Sequence, residues 1–472
     1  MLIKILNIIS FFIFFYYFLI NGTYIFLIII SFRRLKEYIR QSRNNLFVEQ
    51  STVIPISIII PCYNEEKTIC ETVKSLLILN YPEIEIIVVN DGSTDNTLST
   101  LIHEFRLKRA DIEYTEQIPT SSVRAIYATI RIPQLIILDK YNGGKADSLN
   151  AGVNLARYPL ICSIDADSII EKNAFHKLVY PFLKDETTIA VGGMVRIANG
   201  SEIEGGVLKK VALPKNILVQ HQILEYLRAF LTNRIGFEKL NSLLIISGAF
   251  GLFKRSAILE LGGYRHSIGE DMELTLRLHQ YMRANHKPYR IDFVADAECW
   301  TQVPSDFASL YSQRTRWHTG LLDSLWSHKD MLLNPKYGNV GLFSLPYFWL
   351  FELFGPVIEF IGYLIFLLLM IVNLVNSVYV FVFLMAFLYG AFFSLSAIVL
   401  EEMSYMHYKK ISEVLHLISL AFTDQIWYRP LLAFWRLMAL INFRKNKKIW
   451  GKIKRKTFIQ EHTNKELRMA NP

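Results

Sequence analysis

Two long stretches without charged side chains place the strongest constraint on how this chain of 472 residues folds. Residues 5–32 carry no charge over 28 positions, and residues 360–400 carry none over 41. A helix rises about 1.5 Å per residue, so the first stretch can cross a ~30 Å hydrocarbon core once and the second can cross it twice. The apolar region of a cleaved signal peptide is shorter, about 7–15 residues. We therefore expect residues 1–32 to form a retained transmembrane helix.

The second half of the chain continues this pattern. Residues 356–400 are predicted to form two transmembrane helices. The preceding residues 342–355 mix apolar side chains with Glu352, which is typical of an interfacial helix. A further apolar region, residues 411–443, contains internal charges such as Asp424. It fits one membrane span, a short hairpin or an in-plane helix.

The positive charge lies beside the apolar stretches. The formal net charge is +9, with five Lys/Arg in residues 33–43 and eight, without any acid, in residues 444–456. Positively charged flanks remain in the cytoplasm. We therefore predict a multi-pass protein of the plasma (inner) membrane, with residues 44–341 and a basic tail, residues 444–472, in the cytoplasm. The charge then reflects topology and the lipid bilayer, and no nucleic-acid partner is expected.

The central residues 44–341 alternate between strand and helix patterns. Apolar, β-branched segments at residues 53–60, 84–89, 135–138 and 160–164 are separated by segments with helical spacing. This rhythm predicts an α/β fold, a Rossmann-like mostly parallel sheet, in addition to the α-helical transmembrane segments. Ligands of such sheets bind beyond the carboxyl ends of the strands. The four cysteines have no paired spacing and are expected to be reduced thiols.

Two short motifs follow predicted strands. Asp165-Ala166-Asp167 comes directly after the strand at residues 160–164, and two carboxylates at a strand end can share one Mg²⁺ or Mn²⁺ ion. The alternative is a pair of helix-capping residues. Gly143-Gly144-Lys145 opens a helix, where backbone amides and the lysine suit a phosphate group. The alternative there is an ordinary turn with a solvated lysine.

Two further motifs lie on predicted helices. Glu270 and Asp271 begin one helix, where they could simply favour the helix N-terminus. Alternatively, adjacent acids raise the pKa of one carboxyl group and make it a general base. Gln313-Arg314-Thr315-Arg316-Trp317 combines guanidinium groups for a diphosphate with an aromatic ring for a sugar face. The alternative is interfacial anchoring by Arg and Trp.

Six motifs follow one another along the chain: Pro61–Glu65, Asn90–Thr94, Gly143–Asn150, Asp165–Asp167, Gly269–Asp271 and Gln313–Trp317. Taken in this order, they resemble the membrane-embedded family-2 glycosyltransferases. The most similar members are the processive synthases of cellulose, chitin, hyaluronan and poly-N-acetylglucosamine, and the resemblance covers roughly residues 50–320.

The resemblance implies a cytoplasmic GT-A domain that uses a nucleotide sugar, with UDP-N-acetylglucosamine or UDP-glucose as the donor. It implies inverting, metal-dependent transfer to a growing polysaccharide that is exported across the membrane, with accessory export subunits as possible partners. The alternative is transfer of one sugar to a lipid carrier or membrane lipid. The matching motifs also imply roles for individual residues. Asp271 would be catalytic, with support from Glu270, Gln313 and Trp317 would bind the acceptor, and Asp167 and Asp165 would bind the metal ion. The residues implied to bind the nucleotide sugar are Tyr63, Glu65, Asp91, Lys145, Asp165 and Arg316.

Three features of the sequence are not explained by the resemblance. Gly269 occupies the position where the family more commonly has threonine, although both carboxylates remain. Residues 194–247 match no motif and should shape the acceptor site. Glu352 and Glu359 could line a passage for the polymer or lie at an interface.

Overall fold

Apolar segments of the central region form one ten-stranded sheet in the computed structural model, which describes residues 2–45, 53–372, 377–408 and 410–446. Its strands lie in the order β3-β4-β5-β2-β1-β6-β11-β8-β12-β7, and β9 and β10 form a separate hairpin. The strands are β1 (Ile56–Cys62), β2 (Ile84–Asp91), β3 (Lys108–Arg109), β4 (Val123–Ala128), β5 (Leu135–Lys140), β6 (Leu160–Ser163), β7 (Ser168–Ile170), β8 (Thr188–Ile197), β9 (Glu202–Glu204), β10 (Val207–Lys210), β11 (Gly251–Lys254) and β12 (Arg290–Thr301).

The centre of the sheet is parallel, as predicted. Strands β5, β2, β1 and β6 are parallel neighbours, and β8 pairs with β12 in the same way. Strand β11 lies antiparallel between β6 and β8, which makes the sheet mixed. The helices that connect the central strands account for the parallel part, because a parallel pair needs a crossover connection.

Helices cover the sheet and continue into the apolar part of the chain. They are α1 (Leu2–Asn45), α2 (Ile69–Leu77), α3 (Thr97–Phe105), α4 (Lys145–Leu155), α5 (Ala174–Lys184), α6 (Ile217–Leu227), α7 (Ile235–Lys239), α8 (Arg255–Glu260), α9 (Glu270–Ala284), α10 (Phe307–Ser327), α11 (Leu345–Tyr347), α12 (Gly355–Ile371), α13 (Ser377–Ser404), α14 (Ile411–Thr423), α15 (Arg429–Ile441) and α16 (Phe443–Asn446). Stretches of π-helix connect several of them, at Arg228–Arg234, Val340–Ser344, Phe348–Leu353 and Asp424–Tyr428.

The loops after the parallel strands meet at one edge of the sheet. The ends of β1 and β2 are in register, with Cys62 opposite Asn90. The loops that follow are tied together by Asn64, whose Oδ1 accepts from the backbone N–H of Thr94 at 2.8 Å. Asn64 has a positive φ of 58°, and the chain turns there before α2 begins at Ile69.

Among the described residues, three helices are long and apolar enough to cross a membrane: Phe11–Glu37, Val340–Ile371 and Phe383–Ser404. Residues 342–355, predicted as an interfacial helix, run through π-helical turns into α12 and belong to the second of these helices. The predicted region 411–443 contains α14 and α15 and is not among the three. Residues 373–376, between α12 and α13, and most of the basic tail, residues 447–472, lie outside the described residues.

Candidate active site

A cavity of about 380 Å³ lies beyond the carboxyl edge of the sheet. Eight of the residues predicted from the motifs line it together, although they are spread over more than 170 positions of the chain. These residues are Lys145, Asp165, Asp167, Glu270, Asp271, Gln313, Arg316 and Trp317. Four separate sequence motifs therefore converge on one chamber.

Lys145 links two of these motifs. Its Nζ lies 2.8 Å from Asp165 Oδ1 and 2.9 Å from Glu270 Oε1. Burial alone would lower the pKa of Lys145, but the Asp165 and Glu270 carboxylates outweigh that effect and raise the pKa. Lys145 therefore stays protonated and holds the acidic pair after β6 close to the acids that begin α9. Gly144, with a φ of 90°, makes the turn that places Lys145 at the start of α4.

Asp271 has the electrostatic surroundings of a general base. Its Oδ1 accepts from the backbone N–H of Met272 at 2.8 Å, and its Oδ2 accepts from that of Gly248 at 3.4 Å. Burial, followed by the negative charge of Glu270, raises the pKa of Asp271, while Lys145 opposes the rise. A carboxylate with a raised pKa accepts protons more readily at neutral pH.

Gly248 leaves space for the side chains of Lys145 and Asp271. A Cβ at this position would lie 3.0 Å from Lys145 Nζ and 3.7 Å from Asp271 Cβ. A larger side chain would therefore push on the lysine that joins the acidic groups.

Asp165 and Asp167 lie in the turn between β6 and β7. Asp167 is buried, and its Oδ1 accepts from Thr301 Oγ1 at 3.3 Å, while Asp165 is partly exposed beside Lys145. Within the part of the chain that the structure describes, no group of three or more His, Cys, Asp or Glu side chains is arranged to hold a metal ion. The two carboxylates fit an Mg²⁺ or Mn²⁺ ion that takes its remaining ligands from phosphate oxygens and water.

Helix α10 presents Gln313, Arg316 and Trp317 to the same cavity. Trp317 is fixed by Arg314, whose guanidinium carbon lies 4.3 Å from the centre of the indole ring. Arg314 is almost fully buried, and its Nη2 lies 2.7 Å from Glu225 Oε2. The aromatic face is thus held in place while 43% of Trp317 remains accessible.

Tyr63, Glu65 and Asp91 are not among the residues that line this cavity. The carboxylate of Asp91 accepts from the backbone N–H groups of Gly143 and Gly144, at 2.9 Å and 2.8 Å. Asp91 therefore positions the glycine loop in front of Lys145. Glu65 is buried and accepts from Thr68 Oγ1 at 3.0 Å, whereas Tyr63 is half exposed. Their roles in nucleoside binding remain predictions.

Residues 217–239 form a wall of the cavity and lie within the segment 194–247 that was expected to shape the acceptor site, but sequence reasoning named no individual residue there. Glu225, Asn233 and Arg234 from this segment line the cavity. These polar side chains interrupt an otherwise mostly apolar helical stretch, which was the available signal. Glu352 also lines the cavity, whereas Glu359 forms an ion pair with Arg429 at 2.5 Å, so the two acids considered for a polymer passage have different surroundings.

The mixed sheet, the acidic pair at its edge and the basic, aromatic helix beside it are the features of a glycosyltransferase of the GT-A fold. Residues 54–320, more than half of the chain, match the family described as "Glycosyltransferase like family 2". The chain belongs to this family. Residues 266–468 additionally match the family described as "Chitin synthase".

The curated relatives include synthases of a bacterial polysaccharide. The chain is 32% identical over 284 residues to the poly-beta-1,6-N-acetyl-D-glucosamine synthase of Staphylococcus epidermidis, covering 59% of this chain and 58% of that protein. It is 31% identical over 272 residues to the enzyme of the same name from Staphylococcus aureus strain COL, covering 56% and 54%. The match thus spans somewhat more than half the length of these relatives. A solved structure of the mannosyltransferase PcManGT from Pyrobaculum calidifontis aligns with 16% identity and a TM-score of 0.49, covering 91% of this chain and 99% of that chain.

Proposed function

We propose that this protein transfers N-acetylglucosamine from UDP-N-acetylglucosamine to the end of a growing polysaccharide. The observation that carries the proposal is the convergence of Lys145, Asp165, Asp271 and Trp317 on one cavity. The similarity to poly-N-acetylglucosamine synthases supports the choice of sugar and of a polymeric product.

The chemistry we propose is an in-line displacement. Asp271 takes the proton of the acceptor hydroxyl, and the oxygen attacks the anomeric carbon of the donor from the side opposite to UDP. The bond to UDP breaks, and the anomeric configuration inverts. Arg316 balances charge on the departing diphosphate, while Trp317 and Gln313 hold the acceptor end.

Asp167 and Asp165 would hold a divalent cation, Mg²⁺ or Mn²⁺, together with the donor diphosphate. The ion supplies further positive charge for the leaving group when it is bound. Lys145 keeps Asp165 beside the acids of α9, so that donor and base lie next to each other.

The same cavity supports a proposal for the position of the protein in the membrane. Its lining includes Phe348 and Glu352, on the helical stretch Val340–Ile371 that is apolar enough to span a bilayer. We propose that the catalytic domain lies in the cytoplasm and that the polymer leaves along these helices. The basic clusters at residues 33–43 and 444–456 support this orientation.

The test uses membranes that contain the full chain, supplied with UDP-N-acetylglucosamine, UDP-glucose and other nucleotide sugars in parallel. UDP release identifies the donor, and gel filtration of the labelled product measures its size. We expect release with UDP-N-acetylglucosamine and a product far larger than a glycolipid. Label that appears only in a lipid-sized product would contradict polymer synthesis. Repeating the assay with purified chain in liposomes shows whether accessory subunits are required.

A further inference from the structure

The wall formed by residues 217–239 presents two polar atoms without hydrogen-bond partners. They are Asn233 Oδ1, an acceptor, and Arg234 Nη1, a donor, and both residues line the catalytic cavity. Buried polar atoms in proteins almost always have partners, so an unpaired acceptor and an unpaired donor on one wall of a cavity indicate a polar ligand.

Arg234 is held so that its donor faces the cavity. Its guanidinium carbon lies 3.7 Å from the centre of the Phe230 ring, which fixes the side chain against an apolar surface. Burial lowers the pKa of Arg234 to about 10, with the negative charge of Asp271 opposing the decrease. The side chain therefore remains a cationic donor at neutral pH.

The amide orientation of Asn233 is set by a chain of hydrogen bonds. The hydroxyl of Tyr347 donates to Glu352 Oε1 at 3.2 Å, so its oxygen is available as an acceptor. Asn233 Nδ2 donates to this oxygen at 3.5 Å. The amide nitrogen thus points towards Tyr347, and Oδ1 is left as the acceptor for a ligand.

The surroundings of these two atoms match one chemical group. An acetamido group offers an N–H donor for Asn233 Oδ1 and a carbonyl acceptor for Arg234 Nη1. Its methyl group needs an apolar contact, which Phe230, Leu243 and Leu244 provide in the same lining. A plain hydroxyl would leave the apolar surface without a partner.

We propose that Asn233 and Arg234 bind the acetamido group of the acceptor sugar and make the enzyme selective for an N-acetylated glycan end. This inference rests on the proposed function. The acceptor is favoured over the donor because Tyr347 and Glu352, which orient Asn233, belong to the helical stretch Val340–Ile371, on the side where the glycan would leave. The donor diphosphate is assigned to the side of Asp165 and Arg316.

The experiment compares two neutral primers with UDP-N-acetylglucosamine as donor, using membranes that contain the full chain. One primer is a short β-1,6-linked oligomer of N-acetylglucosamine, and the other is the corresponding oligomer of glucose. We expect the wild-type enzyme to prefer the acetylated primer. In Asn233→Ala and Arg234→Gln, the KM for that primer should rise about 10- to 100-fold, as for a lost hydrogen bond in a closed site. The KM for the glucose primer should change little.

Two further measurements separate acceptor binding from other effects. Calorimetric titration with UDP, whose diphosphate is assigned to the side of Asp165 and Arg316, should give wild-type affinity in both variants. Arg234→Lys should recover part of the primer preference. Lys239→Gln is the control, because it removes a positive charge from the same helical stretch at a half-exposed position outside the cavity lining.

The possible failures are distinguishable. If wild-type enzyme uses UDP-N-acetylglucosamine but has no preference between the primers, the acetamido site is wrong and the proposed function stands. If the variants weaken UDP binding, or slow transfer to both primers equally, Asn233 and Arg234 support the fold or Asp271 instead, and the inference is overturned. If wild-type enzyme does not turn over UDP-N-acetylglucosamine at all, both proposals fail.

Discussion

Gly320 on α10 packs directly against Gly269, the residue before α9. A Cβ at residue 320 would lie 2.9 Å from the backbone nitrogen of Gly269, and a Cβ at residue 269 would lie 3.2 Å from the carbonyl oxygen of Gly320. The two glycines let the helix that begins with Glu270 and Asp271 approach the helix that carries Trp317. Gly269 thus replaces the more common threonine at a position where backbone is the neighbour.

Gly320→Ala should separate Asp271, the proposed base, from Trp317, which we propose holds the acceptor. The added methyl group meets backbone, which cannot rotate away, so α9 and α10 must move apart by a few tenths of an ångström or more. We expect kcat to fall about 10- to 100-fold, as for small misplacements of catalytic groups. UDP release by detergent-solubilised enzyme measures the rate, and calorimetric titration with UDP should give near wild-type affinity.

Gly362→Ala is the matched control. A Cβ at this position meets no atom within 4 Å, and the residue lies in α12, away from the cavity lining. Gly269→Thr, which would recreate the commoner motif, is expected to lower kcat as Gly320→Ala does. Wild-type rates in both Gly320→Ala and Gly269→Thr would show that the close helix approach is not needed for catalysis.

The sequence could predict much of this site because its motifs follow strands and begin helices. Once the parallel order β5, β2, β1, β6 is expected, Lys145 after β5 and Asp165 after β6 must reach the same edge of the sheet. Asp91 shows where this reasoning ends. The resemblance implies that Asp91 binds the nucleoside, but in the structure its carboxylate accepts from the backbone N–H groups of Gly143 and Gly144. These hydrogen bonds form only in the folded loop, so the sequence pattern could not predict them.

The individual side chains of the cavity wall formed by residues 217–239 could not be predicted for a different reason. Asn233 gains its orientation from Tyr347, more than 100 residues away, and the surrounding helix packs against α1 through a hydrogen bond from Ser31 Oγ to the carbonyl of Thr232 at 2.6 Å. The local pattern predicts a mostly apolar helix and does not show which of its polar side chains face the cavity. The antiparallel position of β11 likewise depends on contacts with β6 and β8 and not on its own four residues.

The pKa of Asp271 leads to a pair of opposite pH shifts. Asp271 must be ionised to accept a proton, so activity falls as pH decreases through its raised pKa. Glu270 raises this pKa and Lys145 lowers it. Glu270→Gln should therefore move the acidic limb of the kcat profile to lower pH, and Lys145→Gln should move it to higher pH.

The rate is expected to fall in both Glu270→Gln and Lys145→Gln, so the quantity to compare is the pH at which the acidic limb of the kcat profile lies. Glu260→Gln serves as the control, since Glu260 is exposed and pairs with Lys287 outside the cavity. Limbs that shift in the same direction, or coincide with wild type, would exclude Asp271 as the group that titrates.

Removal of divalent ions should stop sugar transfer. Asp165 and Asp167 are two carboxylates on one wall of the cavity and fit an ion that is completed by the donor. We expect UDP release to disappear with EDTA and to return with Mg²⁺ or Mn²⁺. Asp167→Asn should raise the metal-ion concentration needed for half-maximal rate by about tenfold or more. Asp111→Asn is the control: Asp111 is exposed, and this variant should need the same metal concentration as wild type. Full activity after exhaustive chelation would rule out the metal requirement.

Arg196 joins the catalytic sheet to a predicted membrane helix. Its Nε lies 2.7 Å from Glu298 Oε1 on β12, and its Nη1 lies 2.9 Å from Glu401 Oε1 on α13. His407 contacts the same two acids, with Nδ1 at 2.8 Å from Glu401 and Nε2 at 3.1 Å from Glu298. The buried cluster therefore fixes the orientation of the sheet relative to α13.

Glu401→Gln should weaken this attachment, because it removes one of the two carboxylates that compensate the buried charge of Arg196. Breaking a buried ion pair costs about 3–5 kcal/mol, so the midpoint of thermal unfolding in detergent should decrease clearly. The neighbouring Glu402→Gln removes a charge that is not paired with Arg196 and should leave the midpoint close to wild type. Equal midpoints for Glu401→Gln and wild type would mean that apolar packing alone holds the sheet against α13.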